Sequence, residues 1–213
     1  MKNYLVELVG TFFLVLVIGL TVIDPGAGAM AALAIGSTLM IMVYAGGPIS
    51  GGHYNPAVTL AVWMRGKCDA KDVAPYMISQ VIGASLAAFA VDYLKGGPEV
   101  AAGTIEIGPA ILNELLFTFA LCFVVLNVAT SNKSAGNSYF GLAIGFTVCV
   151  GAYAGGAISG GAYNPAVATG ISLMGLSSWA NIWVFLVGNF AGGILAALLY
   201  KAVNPDEYGG VTE

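Results

Sequence analysis

The chain carries almost the same peptide twice. Pro48-Ile49-Ser50-Gly51-Gly52-His53-Tyr54-Asn55-Pro56-Ala57-Val58 and Ala157-Ile158-Ser159-Gly160-Gly161-Ala162-Tyr163-Asn164-Pro165-Ala166-Val167 agree at nine of eleven positions, 109 residues apart. That offset is about half of 213 residues, so the chain reads as one domain built from two copies of a unit, approximately 1–107 and 108–213. Asparagine is a favoured N-cap and proline is at home in the first helical position. Asn55-Pro56-Ala57 and Asn164-Pro165-Ala166 therefore each start a helix. In transport proteins, repeats whose apolar segments are interrupted by Gly and Pro at matching places point to the substrate path.

The surroundings of the repeat are apolar. Hydrophobic residues make up 58% of the chain and charged ones 8%, against roughly a quarter charged in soluble domains. Such a chain cannot present an ordinary wet surface, and its natural surroundings are a lipid bilayer. At roughly 20 residues per span, it has room for six spans and short connections. Apolar runs predict helices near 4–23, 30–47, 74–94, 109–129, 138–156 and 179–201. The first is read as a span rather than a cleaved leader, because it contains Glu7 and further runs follow. Cys68, Cys122 and Cys149 show no metal-ligand or redox spacing and read as small hydrophobes.

Two shorter runs, 55–65 and 164–174, begin at the Asn-Pro pairs. Ten helical residues rise about 15 Å, half of a hydrocarbon core, so these segments enter the membrane and return. Gly51-Gly52 and Gly160-Gly161 allow an irregular approach, which is tolerated at membrane depth only where protein or a water-filled cavity covers it. With the N-terminus inside, Lys2, Arg65, Lys67, Lys71, Lys133 and Lys201 fall on one face and Lys95 alone on the other. The positive-inside bias then puts both termini in the cytoplasm. Three spans per copy invert the second copy, so the two half-helices approach from opposite sides and meet tip to tip.

At that meeting point two helix N-termini face each other, each a partial positive charge of about one half. The amide groups of Asn55 and Asn164 can be aimed into a gap between the copies. Such a gap suits neutral molecules with a lone pair and opposes cations and protons. Glu7 and Glu114, 107 residues apart inside the first and fourth spans, are expensive there unless partnered. They read as acceptors for the irregular approaches rather than as a proton relay. His53, the only histidine, reads as a neutral ring satisfying loop backbone, with protonation gating as the alternative. Gly83, Ala87 and Ala88, and Gly188, Gly192 and Ala196, mark close helix packing.

On both Asn-Pro-Ala motifs, the Glu7-Leu8-Val9-Gly10-Thr11-Phe12 segment and the Ser50-Gly51-Gly52-His53 approach, the whole chain resembles the aquaporin, or major intrinsic protein, family. The resemblance implies an all-α fold of six transmembrane helices and two re-entrant half-helices in an inverted repeat. It also implies a pore in each protomer, a homotetramer and a supporting role for both glutamates. It matches the family's narrowest point to Ile35, Ala152, Gly161 and Val167. There the family normally places an arginine after the second motif, where this chain has Val167. The next residue is Ala168 rather than the aspartate of the glycerol-channel pattern.

A filter of Ile, Ala, Gly and Val is wide and apolar. It favours passive passage of water and small neutral solutes such as glycerol, urea, ammonia or metalloid hydroxides like arsenous acid. The missing arginine leaves an ion-conducting pore as the alternative. A closed structural protein is a third reading, disfavoured by short loops, and an energised transporter would need a charged pair near the motifs. The chain has no nucleophile–base arrangement, metal-ligand spacing or phosphate loop. It is therefore not expected to be an enzyme, to hold a metal or cofactor, or to bind nucleic acid.

Overall fold

The computed structural model describes residues 1–208; residues 209–213, the end of the second copy, lie outside them. The helices are α1 (Lys2–Val22), α2 (Ala31–Ser50), α3 (Pro56–Met64), α4 (Ala70–Lys95), α5 (Ile107–Val125), α6 (Phe140–Ser159), α7 (Pro165–Leu173) and α8 (Ile182–Val203). Six apolar segments, those containing α1, α2, α4, α5, α6 and α8, are long enough to cross a membrane. At nine residues each, α3 and α7 rise about 13 Å and reach only partway. The fold is all-α, with no strand among the described residues.

Several boundaries differ from those expected. Both α2 and α6 run three residues further than predicted, to Ser50 and Ser159. In α2 this carries the helix past Pro48, which removes one rung of the ladder but does not end it. The stop is set by Gly51 and Gly160, at φ 91° and 93°, a left-handed conformation that glycine adopts without a Cβ clash. In α4 the start is Ala70, so Pro75 lies inside the helix. Asp69 is extended before it and Asp72 lies in its first turn, where a negative charge suits the helix dipole. The α5 helix continues as one wide π turn over Leu126–Thr130.

The tightest helix pairs are α1 with α4, α5 with α8, and α2 with α6. Small residues explain the first two. A Cβ on Gly83 would lie 2.3 Å from the Leu8 carbonyl oxygen, and one on Gly192 would lie 2.5 Å from that of Leu115. The third pairing lies on the pseudo-twofold axis. Gly36 and Gly145, again 109 residues apart, touch backbone to backbone, each Cβ position falling 2.7 Å or less from the other's carbonyl oxygen.

On the basic face, a short segment after α8 is fastened to both halves. Arg65, the only arginine of the chain, ends α3 and pairs with Glu207 at 2.6 Å, the side chains being 4% and 2% exposed. It lies against the rings of Tyr200 and Tyr208. Glu207 also accepts hydrogen bonds from the Ser131 hydroxyl at 2.7 Å and the Asn132 amide at 2.9 Å. The Ser131 hydroxyl, then that amide and Arg65, hold its carboxyl below the usual glutamate range. A depressed folded value stabilises the fold above the unfolded pKa, and this is lost as pH falls through the folded value. The melting temperature of Glu207→Gln is therefore expected to lie below wild type at pH 7. The two curves should converge below about pH 4, and a gap that persisted at low pH would refute this assignment. Lys95, alone on the opposite face, donates to the carbonyls of Ile23 and Pro25.

Candidate functional site

The site begins with two carboxylates. Glu7 and Glu114 are fully buried. Through Oε1, Glu7 accepts from the Ser50 hydroxyl (2.7 Å) and the His53 amide (3.0 Å); through Oε2 it accepts from the Tyr54 amide (2.6 Å) and Gln80 Nε2 (2.8 Å). Glu114 does the same in the second copy, accepting from the Ser159 hydroxyl (2.6 Å) and from the amides of Ala162 (2.9 Å) and Tyr163 (2.6 Å). Every partner is a donor, which is the arrangement an ionised carboxylate needs away from water.

These bonds hold two tyrosines in a conformation they would otherwise avoid. Tyr54 and Tyr163 have φ of 50° and 49°, in the left-handed region, where a bulky residue is strained by about 1–3 kcal/mol. Their hydroxyls donate to the carbonyls of Met42 (2.9 Å) and Gly151 (2.8 Å). The Tyr54 ring fills the space a side chain on Gly10 would occupy, a Cβ there lying 2.1 Å away. The turn at each tyrosine then aims the following asparagine.

Each asparagine works in two directions. Asn55 Oδ1 caps α3, accepting from the amides of Ala57 (2.9 Å) and Val58 (3.5 Å), and Asn164 Oδ1 caps α7 from Ala166 (2.9 Å) and Val167 (3.4 Å). Their amide nitrogens cross between the copies: Asn55 Nδ2 donates to the Tyr163 carbonyl (2.9 Å), and Asn164 Nδ2 donates to the Tyr54 carbonyl (2.8 Å). The half-helices thus meet tip to tip through a reciprocal pair. An amide NH2 carries two hydrogens, so each asparagine keeps one for the space it lines.

That space is a cavity of about 520 Å³, lined by both asparagines and by Ile35, Ala152, Gly161 and Val167. None of its lining residues carries a full charge. Pro56, Ala57, Pro165 and Ala166 are buried behind the asparagines as the first turns of α3 and α7. A second cavity of about 470 Å³ opens toward the basic face, beside Lys67, Asp69 and Asp72.

His53 differs from its expected role. Its ring bonds a side chain in α3, Nδ1 lying 3.1 Å from Thr59 Oγ1, rather than loop backbone. Reading the residues alone missed this network of His53, Thr59 and Gln80, because Gln80 meets Glu7 only after α4 packs on α1. It also missed the strained tyrosines and the Gly36–Gly145 contact. Both recur at the 109-residue offset, which was the available signal.

A family model described as "MIP: Major intrinsic protein" matches residues 1–200. Aquaporin NIP1-1 of Oryza sativa subsp. japonica is 35% identical over 95% of this chain and 74% of its own length. Glycerol uptake facilitator protein-like 6 of Lactiplantibacillus plantarum is 35% identical over 97% of this chain and 100% of its own. The X-ray structure of the aquaglyceroporin from Plasmodium falciparum has the same fold, with a TM-score of 0.81 at 22% identity over 97% of this chain and 98% of that one. With the family match spanning nearly all of the inverted repeat, the chain belongs to the major intrinsic protein family, and it is a membrane channel, not an enzyme.

Proposed function

We propose that this channel passes water and small uncharged solutes passively, and that its filter, formed by Ile35, Ala152, Gly161 and Val167, admits solutes larger than water. The observation that carries this reading is the reciprocal Asn55–Asn164 arrangement beside a cavity whose lining bears no full charge. The asparagines offer donors to a molecule with a lone pair, and the two half-helix N-termini repel cations and protons. The apolar wall around Val167 imposes little desolvation penalty on glycerol or urea, and ammonia or arsenous acid fit the same description. A relative that is a glycerol uptake facilitator-like protein supports the solute part. The same reading puts the chain in the cell membrane with both termini in the cytoplasm, following the lysine and arginine asymmetry. A homotetrameric assembly follows from family membership.

Stopped-flow swelling of proteoliposomes under water, glycerol and urea gradients tests this. Rates equal to empty vesicles for every solute would remove the channel reading. Val167→Arg is expected to cut glycerol and urea permeability at least about tenfold while reducing water less. An unchanged solute-to-water ratio would take Val167 out of the filter. The second reading, a cation-conducting pore, is motivated by the missing filter arginine, the chain's only arginine being paired with Glu207. Bilayer current recordings separate the two: silent bilayers alongside active swelling exclude ion conduction.

A further inference from the structure

The two cavities have only His53 and Val125 in common among their lining residues. One cavity holds the asparagine pair and the Ile35–Val167 wall; the other is rimmed by Lys67, Asp69 and Asp72 at the basic face. Any solute crossing between them passes this pair. We propose that His53 and Val125 form a second constriction, and that it selects by size and by hydrogen-bond donation among the solutes the wide apolar filter admits. The inference rests on the passive-channel reading and deepens it.

Both walls of the constriction are fixed. His53 sits in the Glu7-held turn, its backbone amide on the carboxylate and its ring against Tyr76 with centroids 5.1 Å apart. Thr59 Oγ1 donates to the Asn55 carbonyl (3.1 Å) and accepts from Gln80 Nε2 (3.0 Å). Its one hydrogen being committed there, the His53 Nδ1 contact at 3.1 Å is a donation from the ring. By this network the imidazole carries its proton on Nδ1, which leaves Nε2 as an acceptor. Opposite, Val125 is the last residue of α5, and the π turn Leu126–Thr130 begins immediately after it. Such turns are often found at functional places in helices. Here the turn supplies Ala129 and Thr130 to the inner cavity, so the wall recedes just past Val125.

The chemistry at the constriction complements that at the asparagines. Asn55 and Asn164 present only donors to the conduit, whereas His53 Nε2 presents an acceptor two residues away in sequence. A solute traversing both must accept and then donate. Water, glycerol and urea can do both. A small molecule with lone pairs and no N–H or O–H cannot, and meets an unpaired site at His53.

The test uses the full chain in proteoliposomes with water, urea and glycerol as probes, and melting temperature as the folding check. Val125→Phe is expected to lower glycerol and urea permeability at least about tenfold while water falls less. Val125→Ala should raise glycerol relative to water. His53→Leu keeps the bulk without the acceptor and should lower water permeability at least about threefold. Should Val125→Phe not fold, Val125→Ala decides the size claim. If wild type conducts and folded Val125 variants keep the wild-type glycerol-to-water ratio, the second constriction is overturned while the channel reading stands. If wild type does not conduct, both fall.

Discussion

Glu7→Ala and Glu114→Ala are expected to give chains that do not reach a folded, conducting state, whereas the corresponding glutamine variants fold but melt lower. In the alanine variants the two backbone amides held by each carboxylate, His53 and Tyr54 in one copy and Ala162 and Tyr163 in the other, lose their acceptors inside the protein. Each buried donor left unpaired costs about 1–3 kcal/mol. The strained turn at Tyr54 or Tyr163 costs a similar amount once nothing holds it. Together these approach the whole stability of an ordinary domain.

Glutamine offers only one acceptor oxygen. Whichever way its amide turns, an NH2 group faces one backbone N–H, at His53 or Tyr54 in the first copy and at Ala162 or Tyr163 in the second. Glu7→Gln and Glu114→Gln should each lose about 1–3 kcal/mol, read from thermal melting in detergent, with water permeability reduced. Wild-type melting for either would mean that these carboxylates do not organise the half-helix approaches.

A second large effect is expected where α2 crosses α6. Gly145→Val would put its Cβ 2.4 Å from the Gly36 carbonyl oxygen and 2.7 Å from Met40 Cβ. Gly36→Val would do likewise, 2.5 Å from Cys149 Cβ and 2.7 Å from the Gly145 carbonyl oxygen. Backbone cannot rotate out of the way as a long side chain can, so the helices must separate, at about 1–3 kcal/mol or more for each variant. Ile35 and Ile144, the neighbouring residues, line the conduit, so separation also alters the permeability ratio of glycerol to water. Gly108→Ala in α5, where a Cβ meets nothing within 4 Å, is the control and should be neutral or slightly stabilising. Equal melting of all three would refute the claim that close backbone approach sets this crossing.

Sequence by itself determined the six spans, the two half-helices and their inversion. Span length, charge asymmetry and an exact repeat are properties of composition and order, and the bilayer makes each of them decisive. It also placed Asn55, Asn164, Glu7 and Glu114, because a capping residue before proline and a carboxylate in an apolar run have few inexpensive fates in lipid. Helix ends were less legible: Pro48 and Pro75 looked like breaks, but the left-handed glycines and a charged first turn set the boundaries. Only the tertiary structure decided what the side chains do to one another. Whether His53 bonds backbone or Thr59 depends on Gln80, which arrives from α4. The crossing of each asparagine amide to the opposite tyrosine carbonyl needs both copies docked, and the meeting of two cavities at His53 and Val125 needs α5 opposite α3. Contacts between residues far apart along the chain are set by how helices pack, and packing depends on shape across the fold rather than on any local pattern of residues.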